Sequence, residues 1–406
     1  MTHCRRGPDW SRPDLLIVGG GPCGIMAGLL FARVGVRVQV VEKHGDFLHD
    51  FRGDTVHPST MAVLGQLGLL DAFLARPHQR LSRAELRIAG QDMIVGDLSR
   101  VPGPTPFVAM VPQWEFLDFL RREASRLDTF RMDMACPVER LIEEDGRIAG
   151  ARLAGGDEIR AGLTIAADGR RSIVRRDSLL PVKDLGSPID VFWFELPKRN
   201  GRAAGLKIAV DGGRILVRVD RGSYWQCALV FPKGRADKLK ARGIAAIRTE
   251  IEAVDSRLGR LSADLASLDD LHLLEVSLDR LTRWHRPGLL AIGDAAHAMS
   301  PMGGIGINLA IQDAVAAANL LAPALAGGAD VDALLHKVQR RRHGSTRLIQ
   351  LVQKIAQDWV LAPMLGRGKP ISGPPLPLLL LQRFPALRRI PGRAIALGIR
   401  QERVAA

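Results

Sequence analysis

The apolar residues at the start of the chain fall into three blocks. Leu15–Val18 is an unbroken apolar run, short enough for a strand buried on both faces. An Ala-, Gly- and Leu-rich stretch with helical spacing runs to about Ala32, and Val36–Val41 reads as a second strand. Two later runs end on an acid: Leu163–Ala166 leads into Asp168-Gly169, and Leu289–Ile292 leads into Gly293-Asp294. The second is followed by a Gly/Pro/Ser/Met stretch and a helix with Asn308 near its start. Between them, Val191–Arg199 and Ile215–Arg235 are strand-like, rich in Val, Phe and Trp and cut by Gly and Pro, without regular strand–helix alternation. This predicts an α/β chain in four parts. A Rossmann-like domain spans 12–180 and resumes at 281–325, a mainly antiparallel β-sheet domain is inserted at 181–280, and a basic helical segment occupies 326–406.

The turn between the first two blocks carries chemistry. Gly19, Gly21 and Gly24 spell G-x-G-x-x-G between strand and helix, enclosing Pro22 and Cys23. Gly19 suits a tight turn, Gly21 the close approach of a pyrophosphate, and Gly24 close helix–strand packing. The free N–H groups at the helix start favour an anion. Glu42, at the end of the second strand and followed by Lys43, stands where an acid accepts both hydroxyls of an adenosine ribose, and it disfavours a 2′-phosphate there. FAD and NAD both satisfy this much. The chain has no second complete fingerprint, because Gly304-x-Gly306 follows no strand and lacks the third glycine.

Composition narrows the class. With 406 residues, 47% hydrophobic and 25% charged, the chain is that of an ordinary globular protein of two or three domains. Four scattered cysteines have neither metal-ligand spacing nor a disulfide framework, which points to a reducing cytoplasm. The longest apolar run, Leu376–Leu381, is too short to cross a bilayer. The net charge of +14 is C-terminal: from Asp330 onward fourteen Lys and Arg stand against four Asp and Glu. These cations alternate with Leu, Ile and Pro rather than with aromatics, so nucleic acid is not the expected partner. A solvated helical face and peripheral contact with an anionic membrane both fit.

Gly19/Gly21/Gly24 with Glu42, then Asp168-Gly169, then Gly293-Asp294, in that order, closely resemble the class A flavoprotein monooxygenases of the para-hydroxybenzoate hydroxylase family. The resemblance covers most of the chain to about residue 325. It implies FAD as cofactor, NAD(P)H as a transient reductant, and O₂ with a small aromatic molecule as substrates, the aromatic ring being hydroxylated through a flavin hydroperoxide. It implies that the glycine loop from Gly19 through Pro22 and Cys23 to Gly24 holds the pyrophosphate, and that Glu42 and Lys43 lie at the ribose. Arg52 in "FRGDTVHPST" and Gln113 in "VPQWEFLDFL" would meet the phosphate and ribityl region. Asp168 would brace the fold near FAD, and Gly293-Asp294 would take a ribityl hydroxyl. Pro301 and the backbone of Gly304, Gly306, Ile307 and Asn308 would cover the flavin ring. No metal, covalent nucleophile or catalytic triad is required.

Departures from the family pattern sharpen the reading. Tyr224 is the single tyrosine, so a tyrosine pair cannot deprotonate a phenol. His57, after Arg52, is the candidate general base, while His297 reads as a structural residue at the Asp294 turn. Ile305 brings an apolar neighbour to the ring. Arg170, Arg171, Arg175 and Arg176 read either as a phosphate-attracting patch for NAD(P)H or as a solvated turn. Three rivals share the fold. A flavin halogenase is disfavoured by "FWFELP" at Phe192–Pro197 and by the lack of lysine between Lys43 and Lys183. A membrane-associated FAD-dependent reductase or saturase of an isoprenoid or quinone lipid would suit the basic C-terminus. A non-catalytic escort protein conflicts with the intact fingerprint.

Overall fold

Four consecutive apolar residues, all buried, form the centre of a six-stranded sheet. This is β1 (Leu15–Val18); the glycine turn then enters α1 (Pro22–Arg33) and returns as β2 (Val38–Val41). The second strand is shorter than the expected Val36–Val41 because the chain turns through Gly35 while Val36 is already buried. Beside these lie α2 (Pro58–Gln66), α3 (Gln113–Ala124), β3 (Phe130–Asp133), β4 (Leu163–Ala166) and β5 (Leu289–Ala291). The sheet runs β5-β4-β1-β2-β3 in parallel, with His285–Arg286 as an antiparallel edge. This computed structural model describes residues 10, 12–48, 54–88, 90–99, 101, 103–177, 180–198, 205–255, 259–365, 373–374, 376–384, 386, 393 and 397–405.

The second sheet has seven strands, in the order His272–Leu274, Ile189–Pro197, Tyr224–Pro232, Arg214–Asp220, Leu206–Asp211, Arg83–Ile88, Gln91–Asp97. Its last two strands precede the expected 181–280 block. They are recruited by parallel pairing, with Ile208 opposite Leu86, and so cover an edge that would otherwise be bare. The long run Ile215–Arg235 is a hairpin that turns at Arg221–Ser223. Side-chain alternation divides the sheet. Phe192, Phe194, Trp225, Cys227 and Phe231 pack under the helix Gly243–Val254 as core. The other face carries Val191, Trp193, Val217 and Val219 and turns toward Val108–Met110.

The C-terminal part is built into the main core. Helix α4 (Gly306–Ala326) lies against α1, and α5 (Asp332–Ala356) closes over it through Leu335 and Val338. Between the two helices sits a buried ion network. Asp313 Oδ2 accepts from His297 Nε2 at 2.5 Å and from the Gly293 amide at 3.2 Å, while Oδ1 accepts from Arg342 Nε at 2.8 Å. Arg342 also reaches Glu402 in the terminal strap. That strap is pinned by the Glu402 amide on Gln312 (2.5 Å), the Val404 amide on Gln66 (2.7 Å) and the Ala405 amide on Asn319 (2.9 Å).

Burial pushes the Asp313 carboxyl up, but His297 and Arg342 outweigh it and hold it below the usual carboxylate range. The folded state therefore gains from Asp313 above its unfolded pKa of about 3.9, and loses that gain as pH falls through the lower folded value. Asp313→Asn removes the closer of the two buried carboxylates that face Arg342 and is expected to cost about 3–5 kcal/mol at neutral pH. Thermal unfolding from neutral to acid pH checks this: the gap between variant and native chain should be full near pH 7 and should close only below about pH 4.

Candidate cofactor and active site

The glycine loop is sterically specified. Gly19 has φ +107°, and a Cβ there would lie 2.5 Å from the Ala167 carbonyl oxygen; one on Gly24 would lie 2.0 Å from the Gly19 carbonyl oxygen. A Cβ on Gly21 would meet nothing within 4 Å. Two of the glycines thus serve packing, and the third borders open space. Pro22 occupies the first turn of α1, and no side chain caps the helix start, so the first backbone N–H groups point to that space. Glu42 is held at its rim: Oε2 accepts from the Gly20 amide at 2.7 Å and Oε1 from the His44 amide at 3.0 Å. A carboxylate has about four acceptor positions, so lone pairs remain for ribose hydroxyls. Lys43 is exposed beside it.

A second helix start meets the first. Cys23 Sγ donates to the Ala310 carbonyl at 3.1 Å, and a Cβ on Gly293 would lie 3.1 Å from that sulfur. The opening turns of α1 and α4 therefore abut. Helix α4 also begins without a side-chain cap, at Gly306, so the amides of Gly306, Ile307 and Asn308 have no intrahelical acceptor. Two positive helix ends converge on one cleft. Burial pushes the Cys23 thiol up, with Asp313 and Asp294 adding to it; a neutral thiol there packs and does not attack.

The acids divide their work. Asp294 Oδ2 takes Arg170 Nε at 3.0 Å, and the same guanidinium donates to the Met299 carbonyl at 3.2 Å. Asp168 abuts Gly19 through its backbone, and its Oδ2 accepts from the Val174 amide at 3.3 Å. Its Oδ1 is buried with no hydrogen-bond partner among the described residues, and burial pushes its carboxyl up. The other arginines of this turn are also ion-paired, Arg171 with Glu275, Arg175 with Asp279 and Arg176 with Asp177. The patch is neutralised from within, which weakens it as a phosphate attractor.

The loop from Met299 to Asn308 is clamped from both sides. Gly304 has φ +62°, and a Cβ there would meet Thr55 Oγ1 at 2.5 Å. Asn308 is buried; its Oδ1 accepts from the His57 amide (3.1 Å) and Thr60 Oγ1 (2.7 Å), and its Nδ2 donates to the Gly304 carbonyl (3.3 Å). The side chain of Asn308 thus binds the loop to α2, leaving its backbone N–H for a ligand. From the far side, Gln353 accepts from the Ser300 amide and donates to the carbonyls of Ser300 and Met302. Gln357 donates to Ser300 Oγ at 2.8 Å and Gln350 to the Ala298 carbonyl at 3.2 Å. Pro301 sits within this clamped stretch, half-buried.

His57 is 1% exposed and occupies the position before α2, with Pro58 opening the helix. His297 holds the Gly293-Asp294 turn through Asp313, as a structural residue would. Gln113 opens α3, and its amide donates to Asp54 Oδ1 at 3.0 Å. Asp54 pairs with Arg221 of the sheet hairpin, which also donates to Gln226 (Nε–Oε1 3.0 Å), so this contact joins the two sheets. Arg52 lies outside the described residues. Sequence reasoning missed Asp313, Arg342, Arg221 and the three glutamines. Only the glutamines left a readable signal, at helical spacing of three and seven on a single face. Among the described residues no group of three or more His, Cys, Asp or Glu is placed to hold a metal ion.

The open space at Gly21, two uncapped helix starts, Glu42, Asp294 and the unpartnered Asp168 Oδ1 together suit a long ligand with an anionic centre and hydroxyls at both ends. FAD has that form. A family model described as an FAD binding domain matches residues 12–352. A 6-methylpretetramide 4-monooxygenase from Streptomyces rimosus is 32% identical over 99% of this chain and 96% of its own length. Para-nitrophenol 4-monooxygenase from Pseudomonas sp. (strain WBC-3) is 24% identical over 81% and 82%. The structure of PqsL from Pseudomonas aeruginosa in complex with 2-aminobenzoylacetate superposes with a TM-score of 0.76 at 22% identity, covering 87% of this chain and 98% of that one; the fold is shared.

The two kinds of glycine should separate on mutation. Gly21→Val should keep the thermal midpoint of the ligand-free chain within a few degrees while cutting FAD affinity at least about a hundredfold, because only the ligand's space is filled. Gly24→Ala should lower ligand-free stability itself by about 1–3 kcal/mol. Calorimetry of stripped protein and flavin titration read the two effects separately.

Proposed function

Because this chain belongs to the FAD-binding domain family, as a class A FAD-dependent monooxygenase, we propose that it hydroxylates an aromatic, phenolic or polyketide-like molecule at the expense of O₂ and NAD(P)H in the cytoplasm. The observation that carries this is the convergence of two uncapped helix starts, α1 and α4. Support for the substrate class comes from the names of the relatives, one a 6-methylpretetramide and one a para-nitrophenol monooxygenase.

Bound FAD supplies activation of O₂ and delivery of one oxygen atom to carbon. The chain's own groups do the rest. The glycine loop and Glu42 would hold the adenosine end, with Gln113 along the middle. Asp294 takes a ribityl hydroxyl on the side that Arg170 leaves open, and its orientation is fixed by that ion pair. The amides of Gly306, Ile307 and Asn308 would face negative charge developed on the flavin, and fixed dipoles there need no reorganisation. The sheet face bearing Trp193, Val217 and Val219 would exclude water and offer an apolar surface to an aromatic substrate. The Trp193 indole N–H is buried without a partner among the described residues, and a substrate oxygen would satisfy it. His57 would take the phenolic proton in this reading, an imidazole being the commonest general base.

Aerobic turnover of the FAD-loaded protein with NADH or NADPH over a panel of phenols and polycyclic aromatics is the direct test. One ¹⁸O atom from ¹⁸O₂ should enter the product. Double-bond reduction without O₂ uptake would favour a lipid saturase instead. Asp294→Ala should lose FAD affinity by about tenfold to a hundredfold, the worth of one charge-assisted hydrogen bond of about 1.5–3 kcal/mol; unchanged flavin content would remove Asp294 from the site. His57→Gln should lower turnover while flavin content stays that of the native chain.

A further inference from the structure

The outer face of α5 turns apolar along its C-terminal half. Leu348, Leu351, Val352 and Ile355 lie on one stripe, continued by Trp359, with exposures from 44% at Leu348 to 79% at Trp359. Such a stripe would ordinarily rotate inward. Here it is locked outside, because the inner face of the same helix is spent on specific bonds. Gln339 accepts from the Trp284 amide (3.0 Å) and donates to the Thr282 carbonyl (2.8 Å). Arg342 binds Asp313, and Gln350, Gln353 and Gln357 bind the Ala298–Met302 stretch. Turning the helix would break this whole set, so the apolar stripe is a fixed surface feature.

Its electrical setting identifies what it meets. Preceding it on the same outer face are His336, Lys337, Arg340 and Arg347, all exposed. From Asp330 onward the chain carries fourteen Lys and Arg against four Asp and Glu. The helix Leu376–Arg383 repeats the composition, with Leu376, Leu379, Leu380 and Phe384 exposed and Arg383 in its last turn. A second copy of the chain would bring the same excess of cations to the contact and be repelled. An anionic bilayer matches both halves. Lys and Arg are drawn to such a surface, Leu and Ile side chains enter the acyl boundary, and a Trp at the end of the stripe suits the headgroup level.

We propose that the outer face of α5, from Lys337 to Trp359, is a peripheral docking surface for an anionic lipid bilayer. This does not depend on the hydroxylase reading. The surface would bring the protein to a membrane where apolar aromatic molecules partition, while the inner glutamines of the same helix hold the cofactor loop.

The test is co-sedimentation of the full-length, FAD-loaded protein with phosphatidylcholine vesicles that contain or lack phosphatidylglycerol, alongside light scattering of the protein alone. Binding to the phosphatidylglycerol vesicles should exceed binding to neutral ones by about tenfold or more and weaken with added salt. The double variant Leu351→Ser/Ile355→Ser should lose about tenfold or more in vesicle affinity, and Lys337→Ser/Arg340→Ser should lose mainly the lipid-charge dependence. All four positions are exposed, so flavin content and circular dichroism should match the native chain. Absence of vesicle binding, or binding indifferent to both double variants, would overturn the proposal. So would a dimer that Leu351→Ser/Ile355→Ser dissociates, since the occupant would then be a second copy.

Discussion

One carboxylate, Asp313, carries more of this architecture than any other group. It lies wholly out of water and accepts from a histidine, a guanidinium and a backbone amide. An isolated charge in that position would be prohibitively costly, so its three donors must be in place together. They come from the strand-end turn at Gly293, from His297 just past it, and from Arg342 on α5. The turn that aims Asp294 is thus fixed by a bond network behind it, and the loop that follows is fixed by the glutamines of α5. The cofactor side of the cleft is shaped from its back.

That arrangement explains how a chain with a large excess of cations can present an anion site made mainly of backbone. The arginines nearest the cleft are already engaged: Arg170 by Asp294, Arg175 by Asp279, Arg221 by Asp54. What remains for a pyrophosphate and an electron-rich ring are the amides of two helix starts brought together by Cys23 and Ala310. Helix dipoles act at short range and lose nothing to side-chain rearrangement. The Asp54–Arg221 pair meanwhile ties the start of α3 to the sheet hairpin, so both walls of the cleft are referenced to each other.

Much of this was legible in the amino-acid order wherever the determining contacts are local. Gly19, Gly21, Gly24 and Glu42 lie within one strand–helix–strand unit, so their spacing alone shows the turn; the steric need at Gly19 and Gly24 is met inside that unit and its neighbour strand. Asp294 was legible because the strand before it is short and wholly apolar. Asp313 and Arg342 were not, because each looks like an ordinary helical charge until helices 29 residues apart in partner position are packed together. The strands Arg83–Ile88 and Gln91–Asp97 were missed for a similar reason: their place in the second sheet depends on pairing with Leu206–Asp211, over a hundred positions later. Alternation told which residues of Ile189–Pro197 share a face, but not that the helix Gly243–Val254 covers the face of Phe192 and Phe194.

The terminal strap has a consequence for how the molecule comes into being. Glu402, Val404 and Ala405 complete bonds to Gln312, Gln66 and Asn319, and the Arg342 network ends on Glu402. The glycine turn is a local unit, whereas the bonds behind Asp294 close only when a segment 90 positions beyond Gln312 has docked. One half of the cleft is therefore set by neighbours in the chain and the other by long-range closure.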